Sequence, residues 1–160
     1  MESWLQNLDL LIKARTPLIW IRSKEEERLH RVLQLVCKRL NKKRVITWDC
    51  VNGIKGSLNE ERKFTNNPKG ILNWINEQNN SVSTILLLKD FHKFYEDPTI
   101  SRTIKELSFS LKETTHNIIF SSHLYPNSDE LDELLTIIEL PLPDQKELKK
   151  LINNISVQTE

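Results

Sequence analysis

Residues 84–90 read TILLLKD, and this apolar run, which ends on the carboxylate of Asp90, decides the fold. A run without alternating polar residues predicts a strand that is covered on both faces, as the strands of parallel sheets are. The carboxyl ends of such strands form the edge at which open α/β sheets bind ligands. The stretch therefore predicts a parallel sheet and places Asp90 at its ligand-binding edge.

Four further apolar runs predict strands, at residues 18–21, 45–48, 117–121 and 136–140. Helical periodicity precedes the first run and separates the others, because apolar residues recur three and four positions apart. Residues 49–67 are polar and rich in asparagine, and we interpret them as a long loop. Strands that alternate with helices predict an α/β fold, here a three-layer sandwich with a five-stranded, mostly parallel sheet.

The first predicted helix covers residues 3–14, and each later helix has a start signal. Capping side chains bind the unpaired N–H groups of a first turn, and a proline there has no N–H to satisfy. These signals are Ser23 with Glu26, Pro68, Asp97 with Pro98, Ser128, and Asp144 with Glu147. The last predicted helix carries Leu148, Leu151 and Ile152 on its apolar face.

Size and charge limit the possible roles of the chain. Its 160 residues suffice for one α/β domain, predicted over residues 1–155, with a tail at 156–160. The formal net charge is +1, so no strong electrostatic field favours nucleic acid or anionic lipid. No apolar run approaches the ~18 residues of a membrane span. We therefore expect no nucleic-acid partner and no membrane insertion.

The junction after the first strand lacks what a phosphate group needs. It reads IRSKEEE over residues 21–27, whereas a phosphate-binding loop reads G-x-x-x-x-G-K-[ST]. Three consecutive carboxylates would repel a triphosphate, and Ser23 would compete for the N–H groups of the helix. Lys24 is then simply a solvated residue of the first turn. The sequence predicts the frame of a nucleotide-binding domain without its nucleotide site.

Several segments together resemble one protein family. Residues 84–90 are similar to a Walker B strand, and residues 118–122 to the strand of AAA ATPases whose polar tip senses the γ-phosphate. The other matching segments are LDLLIKARTPLIWIRSKEEE at 8–27, LKDFH at 88–92 and IIELPLPD at 137–144. In this order and spacing, over residues 3–152, they resemble the N-terminal region of the plastid and cyanobacterial hypothetical AAA ATPase family.

The resemblance implies a degenerate P-loop-NTPase-like domain, similar to the large AAA subdomain but without a Walker A loop. ATP and Mg²⁺ would bind in a downstream AAA module, so the resemblance implies no cofactor, metal or catalytic residue in this chain and a non-catalytic, regulatory or partner-binding role. Its partners would be its own AAA module or a truncated partner chain, and an unknown client protein. The amphipathic pattern of the first and last predicted helices, rather than the resemblance, places the expected docking surfaces around Trp4 and Leu151. The implied location is the chloroplast stroma, with a cyanobacterial-type cytoplasm as the alternative.

A weak Mg-ATP or small-ligand site at the strand ends is the alternative function. Its side chains, the candidate ligand edge, are Asp90, His92, Ser121 and His123. Phe91 stands where an ATPase places the glutamate that polarises water, so the simpler interpretation has Asp90 capping a loop or pairing with Lys89 or Lys93. A third possibility, a receiver-like or flavodoxin-like domain, ranks last because a phosphoacceptor aspartate is not found in the required pattern.

Overall fold

Helices and strands alternate along the chain. The computed structural model describes residues 1–40, 43–56, 66–125, 128–146 and 148–149. Its helices are α1 (Glu2–Lys13), α2 (Glu26–Arg39), α3 (Pro68–Asn76), α4 (Pro98–Ser110) and α5 (Asp129–Asp132). Its strands are β1 (Leu18–Arg22), β2 (Lys43–Asp49), β3 (Gly53–Lys55), β4 (Ser83–Lys89), β5 (Asn117–Ser122) and β6 (Thr136–Glu139). Short 3₁₀ helices follow β4 and α4, at Phe91–Phe94 and Leu111–Glu113.

The strands form one sheet in the order β3-β2-β4-β5-β1-β6. All neighbouring pairs are parallel except β2 with β3. The first strand of the chain therefore lies near the far end of the sheet, between β5 and β6. Its register sets Ile19 beside Ile119 and Trp20 beside Ile137. The predicted α/β class and the mostly parallel sheet are confirmed.

One face of the sheet, here called the aromatic face, packs against α3, α4 and α5. Successive side chains of a strand point to opposite faces, so alternate residues of β1, β2, β4 and β5 belong to it. Its strand residues are Leu18, Trp20, Ile46, Trp48, Leu86, Leu88, Ile118 and Phe120. Phe91 and Tyr95, which follow β4, complete a buried cluster of rings.

The opposite face, here called the aliphatic face, packs against α1 and α2. Its buried strand residues are Ile19, Ile21, Ile85, Leu87 and Ile119. Arg39, at the end of α2, ties the two helices together, because its guanidinium lies 3.2 Å from Asp9 Oδ2 and 3.3 Å from Glu2 Oε1. Trp4 is half-buried on the margin of this cluster, so α1 presents Leu10 rather than Trp4 as its exposed apolar side chain.

The sheet has six strands, and the prediction of five was wrong. The additional strand, β3, lies within the segment interpreted as a loop and pairs antiparallel with β2. Asp49 shapes the turn between them, because its Oδ1 accepts hydrogen bonds from the backbone N–H groups of Val51 and Asn52. Gly53 then adopts a positive φ of 67°, which a residue without Cβ reaches at little cost.

The predicted capping box at Ser23 is also wrong. Helix α2 begins at Glu26 with Glu25 in the N-cap position, and no side chain caps it. Ser23 instead extends the β1 ladder by donating its N–H to the carbonyl of Ser122, and its Oγ accepts from Glu25 N–H. The signals at Pro68 and Asp97 are confirmed, with Asn67 as the N-cap of α3. Ser128 occupies the N-cap position of α5 without making a capping hydrogen bond.

The C-terminal predictions are tested only in part. Residues 145–146 and 148–149 are helical, and Leu148 N–H donates to the carbonyl of Asp144, consistent with a helix that begins there. Glu147, Leu151, Ile152 and the tail at 156–160 lie outside the described residues.

Candidate functional site at the carboxyl edge of the sheet

Asp90 lies where the sequence places it, directly after β4 at the carboxyl edge of the sheet. Its backbone is in the left-handed region, with φ 50°, an uncommon conformation for a residue with a side chain. Its N–H donates to the carbonyl of Ser121, which joins the ends of β4 and β5. The expected pair with Lys89 does not form, because Lys89 Nζ lies 3.0 Å from Glu26 Oε2 at the start of α2.

His92 of the candidate ligand edge lies within electrostatic reach of both Asp90 and His123. Burial lowers the pKa of His92, Lys93 and His123 lower it further, and Asp90 opposes the shift. His92 Nδ1 is buried without a hydrogen-bond partner among the described residues. The ring of His92 meets the ring of Trp20 edge-on at 6.2 Å between centroids. His92 therefore packs against the aromatic core with its Nδ1 directed into the protein.

The serines of this edge are turned inward. Ser121 and Ser122 are both buried, and Ser122 Oγ accepts a hydrogen bond from Leu124 N–H. Trp20 Nε1 donates to the carbonyl of Leu124 at 3.1 Å, which fixes the loop after β5. The structure thus brings Asp90, His92 and His123 together but assigns Ser121 to the protein interior.

Arg22 organises the outer part of the edge, and sequence reasoning missed it. Its Nε donates to the carbonyl of His123, and its Nη1 lies 3.2 Å from Tyr125 Oη and 3.0 Å from Glu139 Oε1. The guanidinium also lies over the ring of Tyr125, at 4.5 Å from the centroid. The only signal in the sequence was the charge of Arg22 at the end of an apolar strand.

Tyr95 is the second residue that sequence reasoning missed. Its hydroxyl is buried without a partner among the described residues, and burial, with Asp132 nearby, strongly raises its pKa. Its ring lies 6.0 Å from Trp20 and 5.9 Å from Phe120 between centroids. Tyr95 and His92 therefore contribute two unpaired polar atoms to the aromatic core beneath the edge.

The β1–α2 junction has no room for a phosphate-binding loop. Only residues 23–25 connect the strand to the helix, and the ladder to β5 continues through Ser23 N–H. Glu26 and Glu27 stand in the first turn of α2, where the positive end of the helix dipole would otherwise attract an anion. Carboxylates therefore occupy the place that a phosphate would take.

A groove of approximately 570 Å³ lies beside this junction, between α2 and the β2–β3 side of the sheet. Small-molecule sites span about 300–1,000 Å³. Its lining residues are Glu26, Glu27, His30, Arg31, Gln34, Val45, Thr47, Lys55, Gly56 and Lys89. Its two carboxylates are already paired, Glu26 with Lys89 at 3.0 Å and Glu27 with Arg31 at 3.2 Å. The groove has the size of a ligand site, but its main charges neutralise one another.

In the described part of the chain, no group of three or more His, Cys, Asp or Glu side chains is placed to hold a metal ion. The helices within the same residues are too short or too polar to cross a bilayer. Asp90, His92 and His123 thus lie close together without forming a metal-binding set.

The strand order and the acid after β4 define the class, a P-loop-NTPase-like α/β domain. A solved structure of PCH-2 from C. elegans shares this fold, with a TM-score of 0.57 and 10% sequence identity. The superposition covers 89% of this chain and 43% of that chain. The family model described as SpoVK-like AAA ATPase, N-terminal domain, matches residues 4–140, and the chain belongs to this family.

Relatives among curated proteins agree with this assignment. The AAA domain-containing protein ycf46 of Gracilaria tenuistipitata var. liui is 35% identical over 146 residues, which cover 91% of this chain and 30% of the relative. The ycf46 proteins of Pyropia yezoensis and Guillardia theta are 32% and 31% identical and are covered over 31% and 29% of their lengths. The chain thus spans about 30% of the relatives' length. Such relatives are plastid-encoded proteins of algae, which indicates a plastid origin.

Proposed function

We propose that this chain is a non-catalytic, partner-binding domain that regulates an AAA ATPase rather than hydrolysing ATP itself. Its partners would be the AAA module of its own protein, or of a separate partner chain, and a client protein. ATP and Mg²⁺ would be bound by that module and not by the residues described above. The plastid origin of the relatives favours the chloroplast stroma as the place of action.

One observation supports the proposal above the others, namely the geometry of the β1–α2 junction. A nucleotide site of this fold class needs a glycine-rich loop whose N–H groups surround the phosphates. Residues 23–25 instead make a short connection whose first N–H donates to Ser122. The adjoining carboxylates of Glu26 and Glu27, each in an ion pair, occupy the first turn of α2 where a phosphate would bind.

The test is amide hydrogen exchange of the 160-residue chain with and without Mg-ATP. We expect unchanged exchange at residues 90–95 and 121–125, because the neighbouring β1–α2 junction provides no phosphate-binding loop to hold the nucleotide. Isothermal titration of the same samples should show no saturable heat. Slower exchange in either segment would overturn the proposal in favour of a weak Mg-ATP site at the candidate ligand edge.

A matched pair of variants separates a real site from a nonspecific effect. Asp90→Asn removes the charge that a magnesium ion would need, and Asp49→Asn removes a carboxylate from the end of β2 instead. If Mg-ATP protected the wild-type edge, loss of that protection in Asp90→Asn alone would locate the ion at Asp90. Under our proposal both variants respond to Mg-ATP as little as the wild type does.

A further inference from the structure

Strand β6 forms one end of the sheet and has β1 as its only neighbour in the described structure. Leu140 N–H donates to the carbonyl of Arg22, so the backbone groups of residues 138 and 140 point toward β1. Backbone direction alternates along a strand, so the N–H and C=O of Ile137 and Glu139 point away from it. The outer edge of β6 therefore offers two donors and two acceptors at the spacing of one more strand.

Apolar side chains accompany this edge. Ile137 is 40% exposed, Leu124 is 47% exposed and Tyr125 is 56% exposed. Trp20 Nε1 donates a hydrogen bond to the carbonyl of Leu124, and Arg22 donates one to the hydroxyl of Tyr125. These hydrogen bonds restrain the positions of Leu124 and Tyr125. Exposed Tyr and Arg with restrained geometry are the residue types that contribute most to binding energy at protein interfaces.

The opposite end of the sheet is protected against strand addition. Strand β3 has three residues, begins at a glycine and ends at the exposed Lys55. Very short edge strands and lysine are common protections against pairing with another chain. Strand β6 has a single charged residue, Glu139, and this residue is engaged by Arg22.

The relatives indicate what covers the β6 edge. The family match ends at Leu140, one residue beyond β6, and the matching region accounts for about 30% of the relatives' length. In family members the polypeptide that follows the matched region therefore begins beside this edge. Covalent linkage raises the effective concentration of the following module near β6 above that of a separate partner.

We infer that the outer edge of β6, with Leu124, Tyr125 and Ile137 beside it, is the docking surface for the AAA module that follows this domain in full-length family members. The module contributes an extended, apolar segment that adds a strand to β6. This inference rests on the proposed function and names the surface through which the domain contacts its own module. It replaces α1 around Trp4 as the docking site.

The experiment compares this chain alone with a full-length chimera in which it replaces the homologous N-terminal region of the Gracilaria relative. Hydrogen exchange is measured at the amides of Ile137 and Glu139. In the chimera we expect exchange at these two amides to slow by about two- to tenfold, the effect of one backbone hydrogen bond. Amides on α1 should exchange alike in both proteins.

Two variants at one position make the test specific. Ile137→Pro removes an N–H that points away from β1, and proline is tolerated on the outer side of an edge strand. Ile137→Thr keeps the N–H and the strand propensity while it shortens the side chain. In the chimera, Ile137→Pro should restore fast exchange at Glu139, and Ile137→Thr should keep most of the protection. Thermal unfolding of both variants as isolated chains checks that each still folds.

Other patterns of hydrogen exchange overturn the inference. Equal exchange at Ile137 and Glu139 in both proteins shows that the module does not cover β6, and protection on α1 instead would leave the proposed function standing with a different surface. Protection in the isolated chain that rises with its concentration would assign the edge to a second copy of the domain. Binding of Mg-ATP to the isolated chain, by contrast, would overturn the proposed function and not the docking surface.

Discussion

The two faces of the sheet are built from different chemistry. The aromatic face buries Trp20, Trp48, Phe91, Tyr95 and Phe120, whereas the buried strand residues of the aliphatic face are isoleucine and leucine only. The ring contacts are specific, such as Trp48 with Phe91 at 5.4 Å between centroids in an edge-to-face arrangement. Such pairs contribute about 0.5–1.5 kcal/mol beyond area burial. The aromatic face therefore has directional contacts that the aliphatic face lacks.

The same contrast extends to helix starts and to the sheet edge. The long helices of the aromatic face begin at side-chain caps, Asn67 for α3 and Asp97 for α4. Helices α1 and α2 on the aliphatic face have no such cap. The aromatic face also supplies Trp20 and His92 to the carboxyl edge. The difference indicates that the aromatic face determines the geometry of the edge, while the aliphatic face mainly contributes burial.

The largest predicted effect separates two neighbours on β1. Trp20→Ala should lower the free energy of unfolding by about 3–5 kcal/mol, and Ile21→Ala by about 2–5 kcal/mol. Both side chains are fully buried on opposite faces. Only the tryptophan also fixes the carbonyl of Leu124. Urea unfolding gives the two losses, and hydrogen exchange at residues 124–125 should accelerate in Trp20→Ala alone. Equal acceleration in Ile21→Ala would contradict the assignment of the edge to the aromatic face.

The next effect concerns the helix caps. Asn67→Ala should cost about 1 kcal/mol, because its side chain accepts hydrogen bonds from Lys69 and Gly70 N–H. Ser128→Ala is the matched control, since Ser128 occupies the same helix position without such a bond and should change stability by less than about 0.5 kcal/mol. Urea unfolding of both variants measures the difference. A similar loss in the two would mean that the capping hydrogen bond of Asn67 contributes nothing measurable.

A smaller effect, of opposite sign, is predicted at Tyr95. Its buried hydroxyl has no partner in the described structure, so Tyr95→Phe should raise the free energy of unfolding by up to about 1 kcal/mol. Tyr125→Phe is the control, because that hydroxyl is exposed and bonded to Arg22. It should be neutral or slightly destabilising. A loss of stability in Tyr95→Phe would show that the phenol has a partner.

The smallest predicted effect is a pH dependence. Burial lowers the pKa of His92 and of His30, with Lys89 adding to the effect at His30. The unfolded chain therefore binds more protons just below its histidine pKa of about 6.5, and stability falls as pH falls from that value toward the lower folded pKa. His92→Gln and His30→Gln should each weaken this fall in urea unfolding between about pH 7.5 and 5.5. An unchanged slope in both variants would assign the pH dependence to other groups.

Most of the sheet could be predicted because burial on both faces leaves a simple pattern. The run ending at Asp90 is apolar without interruption from Ile85 to Leu88, and its strand formed as expected. Strand β3 was missed because three residues with one apolar side chain show no periodicity. The dipeptide Asn52-Gly53 was the available signal, since Asn-Gly often marks a hairpin turn. The capping box at Ser23 was predicted wrongly because the N–H of Ser23 donates to Ser122, which keeps the Ser23 backbone in the β-ladder rather than at the start of the helix.

The edge was predictable in position but not in orientation. Strand ends meet at one edge of a parallel sheet, so the proximity of Asp90, His92 and His123 followed from their place in the sequence. Ser121 is buried because β5 is covered on both faces along its whole length, as the burial of the neighbouring Ser122 shows, and the sequence did not reveal how far this cover extends toward the edge. The contact of Arg22 with Tyr125 joins residues far apart in the chain, and no local pattern encodes it.

The position of β1 between β5 and β6 has a consequence for biosynthesis. Ile19 pairs with Ile119 and Arg22 with Glu139, so the hydrogen-bonding partners of β1 are translated about 100 residues after it. At ribosomal rates of roughly 5–20 residues per second, the strand waits about 5–20 s for its first partner. During that time its isoleucines and Trp20 are exposed together with the apolar side of α2. The nascent domain is thus expected to require chaperone protection, and to fold more slowly than a helical bundle of the same length.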